Sequence, residues 1–431
     1  MKPTDAVDAV AGVDVVDVVA LGESMVTFLP TRPGRLAGVP SFDRAIGGAE
    51  SNLACALAAA GHSVRWVSRV GADGFGDHLV ETVAAYGVDV SCVGRDPARP
   101  TGVYFRTAGD RATDAHEVAY YRAGSAASAM SAATVDLAAV RTGRILHLSG
   151  ITAALSEGCL GLLRELTAPA GERPLVSFDV NYRAGLWTGS GGAEVLLELA
   201  RRADVVFVGD DEAEQAWGVG GGPAAVRELL PEPRVLVVKE GAKGATAFRR
   251  GGADGSSPAG AWGLVAQLPA PLTGRHDRRS FPAAGSLAAG ALGVPSLERS
   301  RERGRAGAGG TPSGGGTRPT PVSVPTSTSA STHGTFEPAP TVDVVATVGA
   351  GDAFAAGFLS GILRGLPVRQ TLRLGHLFAA ATLTTPADLA APPARDTTDR
   401  LTALDDSGWE RLRLGPGWTQ AGTAEQEVRT P

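Results

Sequence analysis

Three cysteines in 431 residues, Cys55, Cys92 and Cys159, are too few and too scattered for a disulfide framework or a Cys-x-x-Cys metal site. They read as packing residues of a reducing compartment. Aromatic residues make up only 5% of the chain and do not interleave with basic ones. The net charge of −5 offers no basic field to nucleic acid. No apolar run is long enough to span a bilayer. The first residues carry Asp5, Asp8, Asp14 and Asp17, which is the wrong chemistry for a secretory leader. The expectation is a cytoplasmic protein that works on small molecules, with neither nucleic acid nor membrane as a partner.

Glycine is abundant, at 58 residues, and clusters where chemistry needs bare backbone. Gly349-Ala350-Gly351-Asp352 stands at a predicted helix start, where uncovered amides can hold an anion. A carboxylate beside an anion hole would repel a resting phosphate. It reads instead as a base acting on a substrate hydroxyl, a pairing suited to phosphoryl transfer. Phe354 and Phe358 lie one turn apart, and Leu359, Ile362 and Leu363 extend the apolar face. Ala355, Ala356 and Gly357 permit close backbone approach, and Gly365 and Pro367 supply the stop. A plain Gly-rich turn before a buried helix is the alternative. A dinucleotide fingerprint fits less well, because its third glycine falls on Phe354.

Apolar runs at 145–148, 175–180, 205–208 and 235–238 recur about every 30 residues, the size of a βαβ unit. Helical patterns at 157–166, 193–202 and 211–217 lie between them, predicting a parallel sheet with helices on both faces. Polar residues gather where these strands end, the edge at which open parallel sheets place their sites. Residues 15–21 read as a buried strand, and 51–60 and 78–86 as helices. Short strands at 24–29, 101–107 and 117–121 form a separate small sheet. Within a domain spanning 15–392, residues 253–335 are low in complexity and read as a disordered insertion, with one candidate strand at 262–268. The tail, 393–431, reads as weakly ordered, with Trp409 and Leu412 available to dock.

A second glycine cluster, Gly47-Gly48-Ala49-Glu50-Ser51-Asn52, opens the first helix and is followed by Gly71-Ala72-Asp73-Gly74-Phe75-Gly76. With the turn at 349–352, this resembles the two signatures of the ribokinase-like carbohydrate kinases, the phosphofructokinase B family, over nearly all of 15–390 outside the insertion. Tyr120-Tyr121-Arg122-Ala123-Gly124-Ser125-Ala126, Ser149-Gly150-Ile151-Thr152 and Phe178-Asp179-Val180-Asn181-Tyr182-Arg183 are similar to the 2-keto-3-deoxygluconate kinases within that family. The resemblance implies an α/β ribokinase-like three-layer sandwich. Its central sheet is mostly parallel, and a small β-sheet lid comes from about 23–48 and 92–124.

The implied reaction is ATP- and Mg²⁺-dependent phosphorylation of 2-keto-3-deoxygluconate, with Asp352 as base and Gly349, Ala350 and Gly351 as the anion hole. Gly48, Asn52, Tyr104, Tyr120, Arg122, Arg183 and Asp388 would meet the sugar acid. The two arginines offer planar forks for its carboxylate. Surface ion pairing for the arginines, and packing for the tyrosines, are the alternatives. Lys239, Gly241, Ala242, Gly244, Gly349, Gly351 and His376 would serve ATP, unless His376 simply packs, and Glu212 would act on Mg²⁺ through water. Two departures stand out. Ala346 replaces an Asp that shapes a monovalent-cation site in the family, leaving activation by such a cation open. Gly209 replaces the Asn of an Asn-x-x-Glu motif. A kinase for fructose, ribose or a nucleoside, a non-catalytic sugar-acid sensor, and a scaffold built on the insertion are the rival readings. The lid is also a candidate surface for homo-oligomer formation.

Overall fold

The computed structural model describes residues 14–32, 34–107, 117–171, 173–187, 191–250 and 334–420. The segment 251–333, with most of the expected insertion and the candidate strand at 262–268, lies outside them. In chain order the strands of the two larger sheets are β1 (Val16–Leu21), β2 (Met25–Pro30), β3 (Phe42–Gly47), β4 (Val64–Gly71), β5 (Val93–Asp96), β6 (Val103–Arg106), β7 (Val118–Tyr121), β8 (Gly143–Ser149), β9 (Leu175–Asp179), β10 (Val205–Gly209), β11 (Val235–Lys239), β12 (Gly244–Arg249) and β13 (Gly334–Pro338).

Nine strands form the central sheet in the order β13-β12-β11-β10-β9-β8-β1-β4-β5. From β5 to β11 every pairing is parallel; β12 and β13 close the edge antiparallel. Alternation along each strand feeds two cores. Val18, Ala20, Val205, Phe207, Val235 and Val237 join one buried cluster, and their immediate neighbours Val19, Leu21, Val206, Val208, Leu236 and Val238 join the other. A strand buried on both faces must read as a continuous apolar run, which is why these runs were legible.

The first core is completed by the helices Ala49–Ala59 and Ala350–Leu363. Phe358 meets Phe207 edge-on at 5.4 Å and stacks on Phe354 at 6.3 Å. The helix Val368–Leu383 packs so closely against Ala350–Leu363 that a methyl group on Gly357 would stand 2.5 Å from Leu374 O. Gly357 was among the small residues expected to allow such an approach, and it does.

A four-stranded sheet, β3-β2-β6-β7, stands apart. Its strands fall within the segments 23–48 and 92–124, but β5, also inside the span 92–124, pairs with β4 in the central sheet, from Ser68↔Val93 to Gly71↔Asp96. Two further expectations are corrected. Gly334 and Thr335 belong to β13 and not to an insertion, being paired with Phe248 and Ala247. The tail is ordered as far as residue 420, with helices Arg395–Thr402 and Asp406–Glu410. Trp409 and Leu412 dock as expected, in a buried cluster with Leu401, Leu414, Trp418 and Leu377 that the charged composition of the tail otherwise hid. Trp409 donates to Pro338 O at 2.8 Å and lies 4.8 Å beneath the Arg373 guanidinium. No helix among the described residues is long and apolar enough to cross a membrane.

Because Phe248 and Gly334 are directly paired, residues 251–333 leave and re-enter the sheet at adjacent points. Replacing them with a short Gly/Ser turn is expected to keep Tm within a few degrees, since loop length costs little. Collapse of the fold on deletion would show that the segment contributes to the core.

Candidate active site

The carboxyl ends of β1, β9, β10 and β11, the turn before Ala350–Leu363, and the small sheet enclose a pocket of about 620 Å³. Gly349 opens the turn at φ +80°, a left-handed conformation in which glycine is unstrained. No side chain caps this helix, so its first-turn amides remain available to an anion. Gly349, Gly351 and Asp352 line the pocket; Ala350 faces elsewhere.

Asp352 accepts a hydrogen bond from Asn52 Nδ2 at 3.0 Å. Burial lifts its pKa to about 6 against that bond, and the Asp179 carboxylate adds to the rise. The result is a carboxylate ionised at neutral pH yet more basic than an exposed one, as a general base requires. Lys239 Nζ lies 3.1 Å from both oxygens of Asp179, and 3.5 Å from where a side chain on Gly351 would begin. Burial opposes the ammonium, but Asp179, Glu212 and Asp352 together hold the lysine pKa above its ordinary value. A permanent cation therefore stands at the anion turn.

Below the pocket wall, Glu50 is fully buried and accepts from Ser149 Oγ at 2.8 Å and Thr152 Oγ1 at 2.7 Å. Its carboxylate fills the space that a side chain on Gly22 would need. Burial raises its pKa from 4.5 to about 7. A folded-state pKa raised in this way stabilises the protein at low pH, and the contribution is lost as pH rises through about 7. Glu50→Gln, which stays neutral, should therefore raise stability at pH 8 by up to about 3 kcal/mol and have much less effect at pH 5. Thermal melts at the two pH values check this.

At the far wall, Arg122 is paired with Glu23, which also accepts from Ser125 Oγ at 2.7 Å; Glu23 is buried and Arg122 mostly so. The Arg122 guanidinium lies 5.8 Å from the Tyr120 ring, which packs 5.5 Å from Tyr104. Arg183 is half exposed and donates to Glu212 Oε1 at 3.2 Å. Asp388 is held on both oxygens, by Tyr104 and by Arg106. Gly48 caps Ala49–Ala59 at the pocket edge, where a side chain would approach Ser24 Cα to 2.8 Å.

The structure thus brings together Gly48, Asn52, Tyr104, Tyr120, Arg122, Arg183, Asp388, Lys239, Glu212, Gly349, Gly351 and Asp352. Other expected residues lie outside this pocket. Gly241 and Ala242 are exposed in the turn between β11 and β12, and Gly244 is buried against β13. His376 also lies outside this pocket, and its surroundings accord with the packing alternative: it is 6% exposed, its Nε2 donates to Glu337 O at 3.1 Å, and its ring meets Phe354 edge-on. Burial pushes its pKa down to about 4, so it is neutral. Three charged pocket groups had no assigned role in the sequence. Glu23 and Asp179 follow or end apolar strands, a position that could have flagged them. Arg106 carried no signal.

The pattern of pfkB family carbohydrate kinases matches residues 16–259 and 325–395. The chain belongs to the pfkB family. A 2-dehydro-3-deoxygluconokinase of Thermoproteus tenax is 34% identical over 240 residues, 55% of this chain and 73% of that protein. One from Bacillus subtilis is 29% identical over 388 residues, 88% and 93% of the two chains. The crystal structure of a PfkB protein from Polaromonas sp. JS666 superposes with a TM-score of 0.62 at 26% identity, covering 90% of this chain and all of that one. The ribokinase-like sandwich is thereby established, and this pfkB kinase is a phosphotransferase acting on a sugar.

The residues present also suit the metal that accompanies phosphoryl donors. Among the described residues no group of three or more His, Cys, Asp or Glu side chains is disposed to cage an ion. Mg²⁺ does not need one, since it keeps several waters and is shared with phosphates. Glu212, on the pocket wall beside the Lys239–Asp179 pair, fits that limited role.

Proposed function

We propose that this kinase transfers the γ-phosphoryl group of ATP to 2-keto-3-deoxygluconate, forming 2-keto-3-deoxy-6-phosphogluconate. The observation that carries the reading is a basic Asp352 at the anion turn, in one pocket with Arg122 and Arg183. The sugar hydroxyl gives its proton to Asp352 as its oxygen attacks the γ-phosphorus, and the bond to the ADP oxygen breaks. The amides at Gly349 and Gly351 and the Lys239 ammonium hold the charge on the phosphoryl oxygens. Glu212 would hold Mg²⁺ through water, and the ion would supply neutralisation of phosphate charge. The small sheet, closed over the pocket, excludes water and limits ATP hydrolysis. The similarity to proteins named 2-dehydro-3-deoxygluconokinase supports the choice of a sugar acid.

One observation favours a second reading. Each basic side chain lining the pocket already has a carboxylate partner: Arg106 with Asp388, Arg122 with Glu23, Arg183 with Glu212 and Lys239 with Asp179. A pocket so balanced also suits a neutral sugar such as fructose or ribose. An ADP-release assay with 2-keto-3-deoxygluconate, gluconate, fructose, ribose and a nucleoside decides between them. The sugar-acid reading requires the highest kcat/KM on 2-keto-3-deoxygluconate, and binding without turnover would make the protein a sensor.

A further inference from the structure

Asp388 touches both halves of the catalytic apparatus. Its backbone carbonyl packs directly on Gly349, where any side chain would overlap it. Its carboxylate is taken up by two residues of β6 in the small sheet, Tyr104 on one oxygen and Arg106 on the other. Arg106 also donates to Pro386 O at 3.0 Å, so one guanidinium grips the 384–388 loop at two points. This ion pair is desolvated, with side chains 5% and 2% exposed. Gly47, on β3, leaves the room it needs: a methyl there would overlap the Tyr104 hydroxyl and stand 2.9 Å from Asp388 Oδ2. Farther back, Val345 N donates to Leu383 O at 2.7 Å, tying the approach to the turn to the same loop. On its other side β6 pairs with β7, with Tyr104 opposite Tyr120 and Arg122 just beyond the strand end.

We propose that Arg106 is a positioning residue: through Asp388 it seats the anion turn at Gly349 when the small sheet closes over the sugar. The sheet that meets the sugar and the turn that holds the transferring phosphoryl group are then one mechanical unit, joined by a buried ion pair. A buried pair of this kind adds little net stability compared with apolar packing, but it demands one geometry. Displacing the turn by even 1 Å misaligns donors that must meet charge developing in the transition state.

The proposal rests on the turn's role in phosphoryl transfer, and its test separates the two. Arg106→Met should lower kcat by about 10²-fold, with KM for sugar and for ATP changed by less than about threefold. In the presence of sugar, binding of ADP–Mg²⁺ with tetrafluoroaluminate, a mimic of the phosphoryl group in flight, should weaken in step with kcat, while binding of ADP alone stays as in the wild type. Arg106→Lys keeps the charge, and because Nη2 alone makes both bonds its ammonium can offer donors to both acceptors, but from a side chain one atom shorter, so it should fall between Met and the wild type in both measurements. If Arg106→Met does not fold, the lysine variant carries the test. Unchanged kcat and analogue binding overturns the proposal. A large rise in sugar KM at constant kcat also overturns it, making Arg106 a direct substrate contact. The assays use whichever sugar the wild type phosphorylates, so a wrong substrate assignment leaves the inference standing. The analogue-binding arm needs no turnover at all.

Discussion

Asp352→Asn will leave the fold and ATP affinity close to those of the wild type and reduce kcat by about 10²–10⁴-fold, the usual contribution of a positioned base. The amide keeps the contact region with Asn52 filled but cannot take the proton of the attacking hydroxyl. The same assignment sets a pH profile. With the Asp352 pKa lifted to about 6 by burial, wild-type kcat/KM should hold above that value and fall about tenfold per pH unit below it, as the base becomes protonated. The acid limb should vanish in Asp352→Asn. A variant with near-normal turnover, or an acid limb that survives the substitution, would remove Asp352 from the role.

The second large effect concerns substrate charge. Arg183→Ala and Arg122→Gln are each expected to raise KM for 2-keto-3-deoxygluconate by about 30-fold or more, equivalent to about 2 kcal/mol, and to change a neutral analogue much less. The two will differ in stability. Arg183 is half exposed, and its loss should barely move Tm. Arg122 neutralises a buried Glu23, so its replacement leaves a carboxylate without its cation and should cost several kcal/mol unless Glu23→Gln is made with it. Equal losses on charged and neutral substrates would assign both arginines to structure or to ATP. Steady-state kinetics with the two substrates, alongside thermal melts, separates these outcomes.

The expected strands at 145–148, 175–180, 205–208 and 235–238 lie within β8 to β11 to within a residue or two, and the helices between them follow suit. Strands buried on both faces and helices closed by glycine write their boundaries into local composition. The elements missed were of other kinds. β5 and β13 are edge strands with mixed polarity, and β13 is separated from its partner by more than 80 residues of sequence. The tail helices carry many charges, and only the docking of Trp409 and Trp418 on Leu377 makes them part of the core. Their burial depends on a surface built elsewhere in the chain.

The same division runs through the site. That Gly349, Gly351 and Asp352 would share a pocket was legible because the proposed anion binding by backbone and proton removal by a carboxylate need those residue types side by side, and adjacency is a property of sequence. His376 was left between an ATP role and packing, because a helix shows which residues share a face but not what that face meets; here it meets Glu337 and Phe354. Arg106 and Asp388 lie 282 positions apart, and nothing local marks either as the partner of the other. The sequence by itself determined the α/β architecture and singled out the glycine turn with its adjoining carboxylate, through periodicity and short-range chemistry. Only the tertiary structure decided that each pocket cation already holds an anion, and that two residues of the small sheet hold Asp388, whose backbone packs on the turn at Gly349. Charge pairing and mechanical coupling depend on distances across the fold, and those exist only once both cores have packed.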